Sequence, residues 1–514
     1  MQDHPSASPR IVIIGAGIAG LSAALHLAER GLKPLVLEAD PDFVGGRVAG
    51  GEMVEVDGWQ FRQEHGIHGI WSPYKNLQAM LARHQIRPRF VPALEEDWIY
   101  RKHGRVKKAP VGTAIRYSPL TAPLHYINLF VRPRFLRMLS VRDWLSLPLV
   151  WGGLMWGVGV DPLAENHPLG DLRLDYLVKH WAPAVRAFFV GLARNGFSTI
   201  PEEIPLSGFI GFLRFYTLMR RDAWAFSYMP MDGGTSLAEP LAAKAKELGA
   251  EILLDARATK LRKSASGWHI DYAQSSGESR TLEANDVILA TDAPNTAQLV
   301  GASPDLTTPT PLFWPHGLET AVVRLWYDRT PNRGAEGGIF TGEFTIHNFF
   351  WLHIIQDQYR RWHRETGGSA IEVHIYGPPE VLSQPDAVLI TQASADVQAA
   401  YPELRGHRIH QLIQRNPATH TMFAVGSPEQ HLGVKTPWEK ISCCGDWVRD
   451  PTPAFFLERA CITGIFAANQ VLERHGQPGW PTLDYPPPEK FVAWIERRMK
   501  RGREHRIKNR KIQP

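Results

Sequence analysis

Three observations predict an α/β fold, α+β overall, built around a Rossmann-type dinucleotide-binding unit. The first is an apolar strand-length run, Ile11 to Ile14. It leads directly into Gly15, Gly17 and Gly20 in the G-x-G-x-x-G spacing and then into an amphipathic helix. The second is Glu38, which closes the next apolar run eighteen residues past Gly20. The third is the return of strand-and-helix patterning at 229–300 and again at 440–475, with stretches of different character between.

Each element has a physical reason. Gly15 permits the tight turn, Gly17 lets backbone approach a pyrophosphate, and Gly20 allows the helix to pack closely on the strand. Ile18 and Ala19 open that helix, whose free N–H groups and positive dipole end suit an anion. Glu38, followed by Ala39, is placed to accept hydrogen bonds from an adenosine ribose. A second glycine turn, Gly45, Gly46 and Arg47, decides between cofactors. It brings backbone and an arginine to a diphosphate, a device of flavoproteins that an ordinary NAD dehydrogenase does not need. Near the other end, a strand at 441–444 runs into Gly445 and Asp446 and then a helix over about 455–472. The carboxylate can meet the ribityl or diphosphate region of FAD, and the helix N-terminus can face the pyrimidine edge where negative charge develops on reduction. Glu458 and Arg459 are either cofactor contacts or an ordinary charged helix start. The expected cofactor is non-covalent FAD.

At 514 residues the chain exceeds what one core normally organises. The reading divides it into a Rossmann half with a flavin-side loop (1–110), a helical substrate and membrane-facing region (111–225), a second FAD-domain segment (226–300), a substrate-domain sheet with helices (301–435), a C-terminal FAD-binding segment (436–475), and a linker with a basic tail (476–514). Three cysteines, Cys443, Cys444 and Cys461, supply neither a disulfide framework nor metal-site spacing, so no metal is expected and a reducing, cytoplasmic compartment fits. Cys443 and Cys444 read as small apolar fillers. The net charge of +5 sits in the tail, where residues 490–514 carry ten Lys/Arg against two Glu. With only Phe491 and Trp494 available for stacking, no nucleic-acid partner is expected. A solvated helix end and attraction to anionic lipid are the two readings of that tail. The stretch 144–160 has seventeen residues without charge but is short for a bilayer span and is interrupted by Pro148 and four glycines. A buried helix or a segment dipping into one leaflet is expected there, so the predicted location is cytoplasmic and peripheral to a membrane.

Taken together, the chain resembles the FAD-dependent amine-oxidase-like superfamily, and within it the carotenoid desaturases. Five blocks carry the resemblance: Gly15 to Gly20, Gly45 to Arg47, EHGIHGIWSPYKNL from Glu64, MPMDGGTSLAEPLAAKAKELGAEI from Met229, and CGDWVRDPTPAFFLERACITGIFAAN from Cys444. The block from Glu64 looks most like the ring-aromatising desaturases of the isorenieratene synthase type, although Ile67, Gly69, Ile70, Trp71 and Tyr74 to Asn76 depart from that pattern. The resemblance implies that His65, Gly66, Ile67 and His68 lie beside the flavin, with His65 and His68 as candidate catalytic residues or, alternatively, hydrogen-bonded scaffold. It also implies that Arg257 and Ala258 lie near the adenine, that Ala290 and Thr291 sit under the FAD, and that Pro453, Ala454 and Phe455 lead to the flavin. The implied reaction is desaturation of a carotenoid or other polyisoprenoid by hydride transfer to flavin N5, β-carotene rings with methyl migration being the first candidate. Trp224, Phe226, Tyr228, Phe349, Phe350 and Trp351 are candidate linings of an apolar tunnel, or plain core. Desaturation of an acyclic carotene and oxidation of an amine or amino acid stand as alternatives, and oxygen or a quinone as the electron acceptor.

Overall fold

A computed structural model describes residues 10–512 apart from 164–168, 170–171, 333, 425 and 428. Its first layer is a five-stranded parallel sheet in the order Glu251–Leu253, Leu35–Leu37, Ile11–Ile14, Asp286–Leu289, Ile441–Cys443. Strands from three distant parts of the chain thus pair in one sheet, with Val12 opposite Leu35 on one side and Val287 on the other. The central strands are apolar throughout because both faces are covered. One cover is the helix Ile18–Ala28, which packs on the helix Phe456–Arg474. Gly464 permits the approach, since a Cβ there would run into the carbonyl of Ala19. Ser22 Oγ then donates to Cys461 O at 2.9 Å. All three cysteines are free and buried, and burial pushes their thiols up, as expected of fillers.

The second layer is a seven-stranded sheet in the order Arg408–Thr421, Gly317–Tyr327, Ser369–Ile375, Asn348–Trp351, Gly337–Gly342, Glu96–Lys102, Arg105–Pro110. Only the pairing of Gly337–Gly342 with Glu96–Lys102 is parallel. A hairpin, Gly50–Val56 with Trp59–Glu64, and a small sheet of Gly69–Trp71, Phe226–Tyr228 and Val91–Pro92 connect the two layers.

Between residues 112 and 218 the described elements are helical. The longest, Val141–Gly159, starts on a reciprocal cap: Ser140 N donates to Asp143 Oδ2 at 2.8 Å and Asp143 N to Ser140 Oγ at 3.4 Å. Along it Val141, Leu145 and Leu149 recur at i, i+4 and i+8, and all three are exposed, Val141 and Leu145 at 75%. The terminal helix Lys490–Ile512 packs alongside, with Met499 against Gly159 and Arg214 paired to Glu496. No helix among the described residues is long and apolar enough to cross a membrane.

Candidate flavin site

The glycine turns and the Gly-Asp turn meet at the carboxyl ends of the parallel strands, the edge at which such sheets bind ligands. Gly15 N donates to Leu37 O at 2.8 Å, and its φ of 106° lets it pass Ala290, whose carbonyl would lie 2.9 Å from a Cβ. Gly17 and Gly45 run side by side, and Gly45 N donates to Ala16 O at 2.9 Å. Gly46 follows at a φ of 56°. Arg47 then reaches Asp446, Nη2 to Oδ2 at 2.7 Å. Burial opposes the charge on Arg47, but Asp446, with Asp292 beyond it, outweighs that and holds its pKa above the ordinary value. Ala290 N donates to Ile14 O at 2.9 Å, Trp447 Nε1 to Thr291 O at 2.9 Å, and Gly445 N to Thr463 Oγ1 at 3.0 Å. These bonds fix the strand ends relative to one another.

Beside the first glycine turn, Glu38 accepts from Ala16 N at 2.7 Å and from Asp40 N at 3.0 Å. A carboxylate offers about four acceptor sites, so room remains for ribose hydroxyls. Ala256 N donates to Glu38 O at 2.7 Å, which places the backbone of Arg257 and Ala258 directly beyond Glu38, with the Arg257 side chain exposed.

Two features fit a bound FAD. Apart from its chain neighbours, a Cβ built on Gly17, at the N-terminus of Ile18–Ala28, meets no atom of the described residues nearer than Gly45 O at 4.0 Å, which leaves room for a diphosphate against the helix N–H groups. Farther along, His68 Nδ1 is buried and has no partner among the described residues. Burial pushes the His68 imidazole down to about 4, so it is neutral at physiological pH. His65 is also pushed down by burial, and its Nδ1 lies 3.1 Å from Asn416 Oδ1. His420 stands 3.4 Å from the guanidinium of Arg47.

The loop 64–68 rests on the seven-stranded sheet through charged residues that sequence reasoning missed. Arg324 and Glu372 are direct cross-strand partners, with Arg324 Nη2 to Glu372 Oε2 at 2.7 Å, and both are almost wholly buried. His374 Nε2 lies 2.6 Å from Glu372 Oε1, which also accepts from Ile67 N at 2.8 Å. Glu64 accepts from Gly233 N at 3.0 Å and from Gln356 Nε2 at 2.6 Å, and burial pushes its carboxyl up to about 8. Arg324 Nη2 also approaches Glu64 Oε1, at 3.9 Å, so one guanidinium stands between the two carboxyls. The available signal was a charge in each of two apolar strands, AVVRLWY and SAIEVHI.

The aromatic candidates divide between two faces. Trp71 stacks on Phe226 at 4.4 Å and lies 5.4 Å from Trp224; Tyr228 lies 5.0 Å from Phe226 and 6.0 Å from Phe350. Phe350 is 5.7 Å from His374, on which Gly66 rests, and so borders the loop 64–68. Phe349 and Trp351 alternate to the other face, fully buried beneath the helix Asp386–Ala400 with Phe340 and Tyr401. Glu458 is also committed elsewhere: it accepts from Asn76 N at 2.8 Å, Leu77 N at 2.9 Å and Tyr485 Oη at 2.8 Å, capping the helix Lys75–Arg83. Ahead of it Pro453 is exposed, Ala454 is buried, and Phe455 is buried against Phe423, Phe215 and Phe212. No group of three or more potential metal ligands occurs among the described residues.

Residues 13–84 match an NAD(P)-binding Rossmann-like domain, and residues 163–472, more than half of the chain, match the flavin containing amine oxidoreductase model. The chain belongs to the flavin-containing amine oxidoreductase family. Within this family it is similar to a carotenoid phi-ring synthase of Streptomyces griseus, 27% identical over 92% of this chain and 89% of that one. The likeness to the carotenoid phi-ring synthase of Chlorobaculum tepidum is 24% over 90% and 88%, and to the 15-cis-phytoene desaturase of Arabidopsis thaliana 22% over 91% and 81%. Among solved structures, a cyclohexylamine oxidase from Brevibacterium oxydans superposes with a TM-score of 0.63 at 15% identity, covering 92% of this chain and all of the other, a likeness of fold. The chain is accordingly an FAD-dependent oxidoreductase of the carotenoid desaturase and amine oxidase group.

Proposed function

We propose that this flavoenzyme desaturates the β-rings of a carotenoid, with methyl migration, and takes its substrate from a membrane surface. The observation that carries the reading is the likeness to a carotenoid phi-ring synthase along about nine-tenths of both chains. Non-covalently bound FAD would supply the hydride acceptor, N5; each β-ring would give up two hydride–proton pairs in two rounds, with oxygen or a quinone reoxidising the flavin after each. The chain's own part is to hold and to exclude. Gly15 and Gly17 with Arg47 and Asp446 would hold the diphosphate and ribityl region, with Gly20 packing the helix on the strand behind them, and Glu38 would hold the adenosine ribose. The wall of Trp71, Phe226, Tyr228 and Phe350 orients an apolar ring and keeps water out. His68 Nδ1, neutral and without a partner among the described residues, would receive the departing proton. Expressed in cells that accumulate β-carotene, the protein is expected to yield a pigment that has lost four hydrogens per modified ring at unchanged carbon count. Unchanged β-carotene, with an acyclic carotene or an amine consumed instead, would transfer the assignment to that substrate.

Membrane delivery is supported by the exposed stripe Val141, Leu145 and Leu149, by exposed Val131 and Trp144 nearby, and by the basic terminal helix, which packs at the Gly159 end of the same helix. Burying one such side chain contributes about 1.5–3 kcal/mol. Changing Val141, Leu145 and Leu149 together to Ser is therefore expected to weaken binding to phosphatidylglycerol-containing vesicles at least about tenfold in a flotation assay. Equal flotation of variant and parent would remove this surface from the proposal.

A further inference from the structure

The flavin-side loop is held by the substrate-domain sheet at every backbone position from 64 to 67, through three different strands. Arg324 Nη2 donates to Glu64 O at 3.1 Å. Asn416 Nδ2 donates to His65 O at 2.8 Å while its Oδ1 meets the His65 ring. Gly66, at a φ of 145°, lies against His374, whose Cε1 would be 2.9 Å from a Cβ there. Ile67 N donates to Glu372 Oε1 at 2.8 Å. Alternation along Ser369–Ile375 puts Glu372 and His374 on one face, and the antiparallel register sets Arg324 and Phe350 on either side of Glu372. A wholly buried carboxylate is a costly way to satisfy one amide, because its desolvation alone amounts to several kcal/mol. A neutral acceptor would serve that amide equally well. What the charge adds is stiffness: bonds to ionised groups are shorter and about twice as strong as neutral ones. Here Arg324 through Oε2, and His374 and Ile67 through Oε1, fix both oxygens at once.

We propose that Glu372 is a positioning residue of this enzyme, whose anchored carboxylate fixes the backbone of the flavin-side loop and thereby the placement of the adjacent His68 ring against cofactor and substrate. The inference rests on the reading that this loop lies beside the flavin, and the test separates the two. His68 follows Ile67 directly, so a slackened Ile67 amide shifts the ring that carries the unpartnered Nδ1. A displacement of about 1 Å at such a group is enough to cost on the order of a hundredfold in rate.

The experiment is hydrogen exchange on the peptide covering 64–71, with and without FAD, in the parent protein and in Glu372→Gln and Glu372→Asp. The Asp variant keeps a charge for Arg324 while drawing the acceptor back by one methylene, so it reports even where Gln fails to fold. In the parent, FAD is expected to slow exchange in this peptide. In the FAD-loaded variants, exchange at 66–68 is expected to speed up at least tenfold, with the strand Ile11–Ile14 and the strand Asp286–Leu289 unchanged. Turnover on β-carotene, normalised to bound FAD so that unfolded protein does not count, is expected to fall about ten- to a hundredfold in kcat with KM little changed. Absence of FAD protection in the parent peptide would overturn the placement of the loop. FAD protection that survives intact in both variants would overturn the role of Glu372.

Discussion

Replacing Arg324 by Met is expected to lower the stability of the protein by about 3–5 kcal/mol, the range for a buried ion pair that loses one partner. The size follows from the surroundings. Arg324 and Glu372 are both nearly inaccessible to solvent, and the pair is made twice over, through Nε at 2.8 Å and Nη2 at 2.7 Å to the same oxygen. Burial by itself raises a carboxyl pKa; at Glu372 the guanidinium and the bond from His374 outweigh it and hold the group down at about 2. A carboxyl depressed in the folded state contributes stability that is present above its ordinary value of 4.5 and is lost only as pH falls through about 2. In Arg324→Met the largest influence opposing burial is gone: the bonds from His374 and Ile67 N remain, but burial outweighs them, the Glu372 pKa rises, and the folded state gains by protonating it. The deficit should therefore narrow between pH 8 and pH 5 when thermal midpoints of parent and variant are compared. Glu372→Gln in the Arg324→Met background removes the stranded charge while leaving an acceptor for Ile67 N, and should recover much of the loss. A double variant no more stable than Arg324→Met alone would show that the pair is not coupled in this way.

That cluster also marks where the sequence stopped being informative. The candidate cofactor crevice was legible because its signals are local. Gly15, Gly17 and Gly20 act within one turn, and Gly45 to Arg47 carry their own backbone requirement, so spacing alone announces them. The partner of Arg47 was not legible, because Asp446 is brought to it only by a sheet that pairs residues hundreds of positions apart. Glu458 illustrates the same point from the other side. In the sequence it stands in the first turn of a helix that could face a flavin, yet its oxygens cap the helix Lys75–Arg83, a contact that no local pattern encodes. The aromatic run at 349–351 could have been divided in advance, since a strand sends alternate side chains to opposite faces. Phe350 faces Tyr228 and His374, while Phe349 and Trp351 fill the core under a helix. Charges at Arg324 and Glu372 were visible, but their pairing depends on a register set by the whole sheet.

Two of the three glycines of the first motif, Gly17 and Gly20, should separate binding from folding more sharply than any other pair of substitutions. Gly17→Val is expected to leave a folded protein that no longer retains FAD, with affinity weakened at least about a hundredfold, equivalent to roughly 3 kcal/mol. At Gly17 the backbone is extended, φ −68° and ψ 177°, which a β-branched residue adopts without strain, and the new Cβ has only Gly45 O, at 4.0 Å, for a protein neighbour. What it occupies is the space in front of the helix N–H groups, where a diphosphate would have to lie. Gly20→Val meets the opposite situation. There the Cβ collides with the carbonyl of Gly15 inside the packed junction of helix and sheet, with Ala290 Cβ also within 3.2 Å, so the expected product is insoluble or unfolded protein. Flavin absorbance of the purified proteins, FAD titration of the apoprotein and far-UV circular dichroism distinguish the outcomes. Full flavin content in Gly17→Val would mean that the diphosphate does not cross this turn and that the helix Ile18–Ala28 serves the fold alone. Unfolding of Gly17→Val would mean that the open space at its Cβ is needed by the protein itself, and the cofactor argument would then rest on Arg47 and Asp446.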